Sequence, residues 1–112
     1  MTDVYEAAKI AQKALDDKHG QDIHTIDLRG ISSLTDFFII TNGNNEPHVK
    51  TLADEVQSAL TQAGLTMRSL EGYAESSWIL LDFGDIIIHV FDKTTREFYN
   101  LERIWSDAPM AL

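Results

Sequence analysis

The sequence predicts a single α/β domain, a mixed β-sheet with helices packed on it, and three observations lead there. The stretch Trp78–Phe91, WILLDFGDIIIHVF, holds two apolar runs of strand length separated by Gly84-Asp85. Gly at the first central position of a two-residue loop suits a type II′ turn, whose twist matches antiparallel strands. Val49, Leu52, Ala53, Val56, Leu60 and Ala63 recur at helical spacing and are followed by Gly64, the pattern of a helix with one apolar face and a C′ glycine. The elements also follow one another as α-β-β-α-β-β-β-α, an order that one mixed sheet covered by helices accommodates. A chain of 112 residues amounts to one domain with a modest core. We expect one unit over 1–112: an N-terminal helix in 1–20, the main body in 21–105 and a mobile tail in 106–112.

Each element has its own signal. Residues 3–18 read as a helix, with Asp3 and Glu6 spaced as a capping box and Val4, Ala8, Ala11 and Leu15 on one side. That stripe is thin and alanine-rich, which predicts light packing, and Gly20 stands where the helix should stop. Ile23, Ile26 and Leu28 suggest a short strand closed by Gly30. DFFIITNG is apolar without alternation, as expected of a strand buried on both sides at the centre of the sheet. The turn formers NGNNEP place Pro47 at the entry of the second helix. TMRSLEGY is a weaker strand, and strand, helix, strand at this spacing implies a parallel crossover. Thr94 with Glu97 makes a second capping box, opening a last helix with Phe98, Leu101 and Trp105 facing inward. The tail SDAPMAL has no periodicity.

The hairpin carries the functional expectation. Folding at Gly84-Asp85 pairs Phe83 with Ile86, Leu81 with Ile88 and Ile79 with Val90 on a wholly apolar face. The other face then has Trp78 opposite Phe91, Leu80 opposite His89 and Asp82 opposite Ile87, because side chains alternate across a strand. Large aromatics mixed with an imidazole and a carboxylate resemble a partly exposed contact surface. Two readings stand for Trp78 and Phe91: core under a helix, or exposed anchors of an interface.

Composition narrows the partner. Nine Lys and Arg against eighteen Asp and Glu give a formal charge of −9. Phosphate contacts need cations, so little or no direct nucleic-acid contact is expected, and a basic protein surface is the better electrostatic match. Solvation alone is the plainer explanation of the same charge. No apolar run approaches the roughly 20 residues of a membrane span, the start lacks a secretory pattern, and there is no cysteine for disulfides or thiolate chemistry. The expectation is a cytoplasmic protein without cofactor or metal.

Several motifs, in order, resemble one family. These are D-I-x-x-x-D-L at Asp22 to Leu28, S-S-x-x-D-F-F-I-I at Ser32 to Ile40, H-V-x-x-L-A-D-E-V at His48 to Val56, L-E-G at Leu70 to Gly72, the Trp78–Phe91 stretch, and Y-N-L-E-R-I-W at Tyr99 to Trp105. Together they are similar to the ribosomal silencing factor, or Iojap-like, family over about Gln21 to Trp105. The resemblance implies a nucleotidyltransferase-like α/β fold without known enzymatic activity. It also implies binding to the large ribosomal subunit through ribosomal protein fourteen of that subunit, obstruction of subunit joining that damps translation when nutrients run short, and possible homodimers. Pro47 stands where the family usually has a basic residue, and Ser77 where it often has Asp. The residues expected to meet the partner are Trp78, Leu80, Asp82, His89, Phe91, Glu71 and Tyr99.

Two alternatives use the same residues. Asp82 and Asp85 invite a two-metal carboxylate site, but one lies inside a strand and the other in a turn, and the chain lacks the Gly-rich phosphate-holding signature of nucleotidyltransferases. His89 has no second histidine at ligand spacing. The hairpin could alternatively serve only to pair two copies of the chain.

Overall fold

Helix α1 (Val4–Asp17) starts where its first free amide finds a partner: the Asp3 carboxylate accepts from the Glu6 amide at 2.8 Å. The computed structural model describes residues 3–104; Trp105, expected to face inward, and the tail 106–112, expected to be mobile, lie outside the described residues. Ala7, Ala8, Ala11 and Leu15 are wholly buried. The alanine stripe therefore does not mean light packing. Small side chains let α1 lie close to α2 (Glu46–Gln62) and share one core cluster with it.

The end of α1 also departs from expectation. His19, not Gly20, adopts the left-handed conformation at φ 64°. Its amide donates to Asp16 O at 2.9 Å and the Gly20 amide to Leu15 O at 2.8 Å, the bond pair of a Schellman ending. Gly20 sits one step further on, packed so closely that a Cβ would stand 2.9 Å from Thr41 Oγ1.

Five strands form one sheet: β1 (Gln21–Asp27), β2 (Phe37–Gly43), β3 (Ser69–Glu71), β4 (Trp78–Asp82) and β5 (Ile86–Asp92). Their spatial order is β1-β2-β5-β4-β3. Among the described strands only β2 and β5 pair in parallel; β1 with β2, β4 with β5, and β3 with β4 are antiparallel. Thus β5 holds the centre expected of β2, although β2 is internal. Following the pair directions across the sheet, β3 runs parallel to β2 as a crossover requires, but at the far edge with β5 and β4 between them. Single-sequence patterning shows that a strand is buried on both sides, not which neighbours bury it.

One face of the sheet meets α1 and α2. Phe37, Ile39, Ile79, Leu81, Ile86, Ile88 and Val90 join Val49, Leu52, Val56 and Leu60 in the main core. The apolar hairpin pairs Ile79–Val90 and Leu81–Ile88 form in the predicted register. Gly84 has the positive φ expected of it, 86°, but the Asp85 amide donates to Phe83 O at 3.1 Å. The reversal is therefore tighter than a type II′ turn. Asn45 caps α2 by accepting from the His48 amide at 2.9 Å, with Pro47 in the first helical turn.

The opposite face is partly covered by α3 (Lys93–Tyr99) and α4 (Leu101–Ile104). The expected single helix capped by Thr94 is instead two. Asp92 caps α3 by accepting from the Thr95 amide at 2.7 Å, and Asn100, left-handed at φ 47°, breaks the run. The earlier start and the break turn Phe98, expected inside, to the surface at 80 % exposure. Leu101 packs on the second, smaller cluster of Ile26, Leu28, Ile40 and Phe91.

His19→Gly tests the α1 ending. Removing Cβ from a left-handed residue should raise stability by about 1 kcal/mol. Chemical denaturation reads this directly, and unchanged or lower stability would show that His19 is not strained.

Candidate functional site

The site is built on the face opposite α1 and α2, where Trp78, Leu80 and Asp82 of β4 stand beside Phe91, His89 and Ile87 of β5. This is the predicted pairing. The strand entrance is set by Gly72, at φ 78°, where any Cβ would lie 2.0 Å from Trp78 O. The Leu-Glu-Gly signature thus has a steric reason: the chain before β4 folds directly onto the Trp78 backbone. Tyr73 ties the same segment to α2 through hydrogen bonds to the Asp54 carboxylate at 3.0 and 3.1 Å.

Burial divides the seven expected contact residues. Phe91 is fully buried and His89 is 4 % exposed, so both leave the contact set. Trp78, Leu80 and Asp82 are half-buried, Glu71 is exposed, and Tyr99 is 49 % exposed. Glu71 pairs with Leu80 and so stands on the same face. The structure brings all seven together, but as a floor and a surface. Phe91 is covered by Trp78 and by the cluster on which Leu101 of α4 packs, whereas His89 is covered by neighbouring rings of the sheet itself, Phe38 at 4.7 Å and Trp78 at 5.9 Å.

Rings connect floor and surface. Trp78 lies 5.0 Å from Phe91, 5.9 Å from His89 and 4.8 Å from Tyr99, between ring centroids. The Trp78 indole N–H donates to His89 Nδ1 at 3.1 Å. Nδ1 must therefore be unprotonated, which places the imidazole hydrogen on Nε2; that atom is buried and has no hydrogen-bond partner among the described residues. Burial lowers the His89 pKa to about 4 from its ordinary 6.5, because a charged ring here would lose its hydration without gaining a carboxylate. His89 is a neutral acceptor that orients the indole.

Arg96 was not singled out in the sequence, yet it holds the covering helix in place. It is 6 % exposed. Nη1 donates to Gln21 O at 3.2 Å and Asn42 Oδ1 at 2.9 Å, and Nε donates to Glu102 Oε1 at 3.2 Å. Nη2 faces Asp22 at 3.8 Å, an ion pair longer than a hydrogen bond. One guanidinium thereby joins α3, α4, β1 and β2. The Asp92 cap was a signal for where the helix starts, but Arg96 is turned inward by bonds to Gln21, Asn42 and Glu102 that no local pattern announces.

The acidic residues also divide. Asp82 accepts from the Gly84 amide at 2.7 Å and stabilises the turn, Asp92 caps α3 and Glu102 holds Arg96. Glu71, Glu75 and Asp85 are exposed. Asp82 is thus occupied with its own turn and is not poised with Asp85 as a metal pair. No group of three or more His, Asp or Glu among the described residues is placed to hold a metal ion. No described helix is long and apolar enough to cross a membrane.

Comparison with known proteins bears on this arrangement. The model of the family described as "Ribosomal silencing factor during starvation" matches residues 2–111. The chain belongs to that family. It is 43 % identical over 103 residues to ribosomal silencing factor RsfS of Bacillus subtilis, covering 92 % of this chain and 87 % of that one. A crystal structure of a Chromobacterium violaceum protein superposes with a TM-score of 0.91 at 34 % identity, covering 94 % of this chain and 88 % of the other. A Bacillus halodurans crystal structure gives 0.81 at 39 % identity, over 89 % and 93 %. The family expectation and the α/β fold class both hold for this silencing-factor relative.

His89 makes stability depend on pH. Its folded pKa is depressed, so the unfolded chain takes up the proton first as pH falls. The contribution is complete above about pH 6.5 and is lost between there and about pH 4. The full difference is on the order of 3 kcal/mol. His89→Leu should flatten the stability profile across that window, measured by denaturation at a series of pH values. An identical slope in both proteins would show that His89 titrates normally.

Proposed function

We propose that this protein binds the large ribosomal subunit through ribosomal protein fourteen of that subunit and represses translation by occupancy. Its bulk on the face that meets the small subunit obstructs joining, and no catalytic step is involved. The observation that supports this most directly is the half-exposed Trp78, buttressed from below by Phe91 and His89 and flanked by Leu80 and Tyr99. A rigid aromatic side chain with its polar end already bonded loses little freedom when a partner covers it, which is how interface anchors work. Glu71 on the same face and the charge of −9 suit a basic protein surface better than RNA phosphates. The contact set is then Trp78, Leu80, Asp82, Glu71 and Tyr99, with His89 and Phe91 as its support. Membership of the family supports a ribosomal role, in keeping with a cytoplasmic site of action.

Gradient sedimentation with separated subunits tests this reading. The protein should travel with the large subunit and keep the small one from joining; sedimentation with neither subunit would end the proposal. Tyr99→Ala should weaken binding by on the order of 2 kcal/mol. Trp78→Ala should do the same or more, with a native circular dichroism spectrum as control. Wild-type affinity in both variants would remove the aromatic face from the contact. Association should also slow as salt is raised, because steering by opposite charge is screened. A salt-independent association rate would count against the acidic contribution.

A further inference from the structure

Helix α3 is turned against its own hydrophobic preference. Phe98 is 80 % exposed while Arg96, two residues earlier, is 6 % exposed. Positions two apart on a helix stand about 200° apart round the axis, so the opposite rotation would hide the phenyl ring and release the guanidinium. The observed rotation is held by the Asp92 cap and by the Arg96 bonds to Gln21, Asn42 and Glu102. Asn100 then ends the helix one residue after Tyr99. Where several polar contacts together enforce a local arrangement that apolar burial opposes, a functional demand is the usual reason.

A single exposed apolar residue is ordinary on any surface, and Leu34, 85 % exposed in the loop between β1 and β2, is one. Phe98 differs because its ring is continuous with the aromatic face. It meets Tyr99 edge-on at 5.1 Å, Tyr99 meets Trp78 at 4.8 Å, and Trp78 meets Phe91 at 5.0 Å. Leu34 belongs to the other end of the sheet: β2 begins beside Ile86, whereas α3 follows Asp92 at the far end of β5.

We propose that Phe98 is a second anchor of the docking face, so that the partner wraps from the sheet onto the outer side of α3. This rests on the docking reading above and names a contact beyond it. The occupant is the same basic protein surface, because the ring continues that face without a break. The concavity around Phe98 is lined by Glu97, Tyr99, Asn100 and Arg103. One cation against one carboxylate offers no net positive charge to phosphates, which favours a protein occupant over ribosomal RNA.

The experiment measures binding of purified full-length variants to isolated large subunits. Phe98→Ala should bind at least tenfold more weakly than wild type, with an unchanged melting temperature because the ring is exposed. Phe98→Tyr should stay within about twofold of wild type and Leu34→Ala should bind as wild type does, as expected if ring contact at this end carries the interaction. Wild-type affinity in Phe98→Ala, while Trp78→Ala is weakened, would overturn this inference and leave the docking face standing. Equal loss in Leu34→Ala would also overturn it, by showing general surface adhesion. A photo-crosslinking side chain at position 98 should capture a large-subunit protein; capture of RNA would refute the assignment. Failure of wild type to bind at all would instead remove the docking reading itself.

Discussion

The pairing of β4 with β5 is the constraint on which the rest of the molecule depends. With Trp78 opposite Phe91 and Leu80 opposite His89, the alternate residues Ile79, Leu81, Ile88 and Val90 all fall on the side covered by α1 and α2. A slip of one residue would exchange the two faces of β4, burying Trp78 and Asp82 against helices and exposing two core aliphatics. The register that completes the core is therefore also the one that sets the indole on the far side. Core and candidate docking face are two sides of one hydrogen-bonded ladder. The tight reversal at Gly84, with the Asp82 carboxylate bonded to its amide, pins that register at one end.

The other end is pinned from outside the hairpin. Arg96 reaches from α3 to Gln21 on β1, Asn42 on β2 and Glu102 on α4. A buried guanidinium is costly unless its donors are met; Nε and Nη1 are met with α3 at this rotation and height above the sheet, while Nη2 has no hydrogen-bond partner among the described residues. That placement brings Leu101 onto the cluster that holds Phe91, lays Tyr99 on the indole and leaves Trp78 half open. The neutral His89 beneath completes the arrangement by taking the indole proton donor, so that Trp78 has one orientation. A surface held this way from several sides is preorganised, which lowers the ordering cost of binding.

Much of this was legible in the residues themselves. The hairpin pairs, the buried face of α2, the Asp3 cap and the glycine after α2 all follow from local rules of spacing, alternation and turn chemistry, and all of them are found. The strand order was not legible, because the pattern of DFFIITNG shows burial without naming neighbours, and the centre proved to be β5. The α3 region misled for a different reason. Thr94 with Glu97 and Asp92 with Thr95 both offer a cap, local signals do not choose between them, and the choice rotates Phe98 from inside to outside. The alanines of α1 misled because a small side chain reads as weak burial when it in fact permits close approach.

Within the candidate site, the same division holds. The amino-acid order by itself determined which side chains share the far face of the hairpin, since alternation along two strands and the position of one turn are enough. It also determined the acidic balance, a formal charge of −9. Only the tertiary structure decided which of those side chains are surface and which are floor. That depends on a helix clamped over the sheet by an arginine, two of whose partners lie 54 and 75 residues away along the chain. Burial is a property of what lies above a residue, and contacts of such long range leave no periodic trace along the chain.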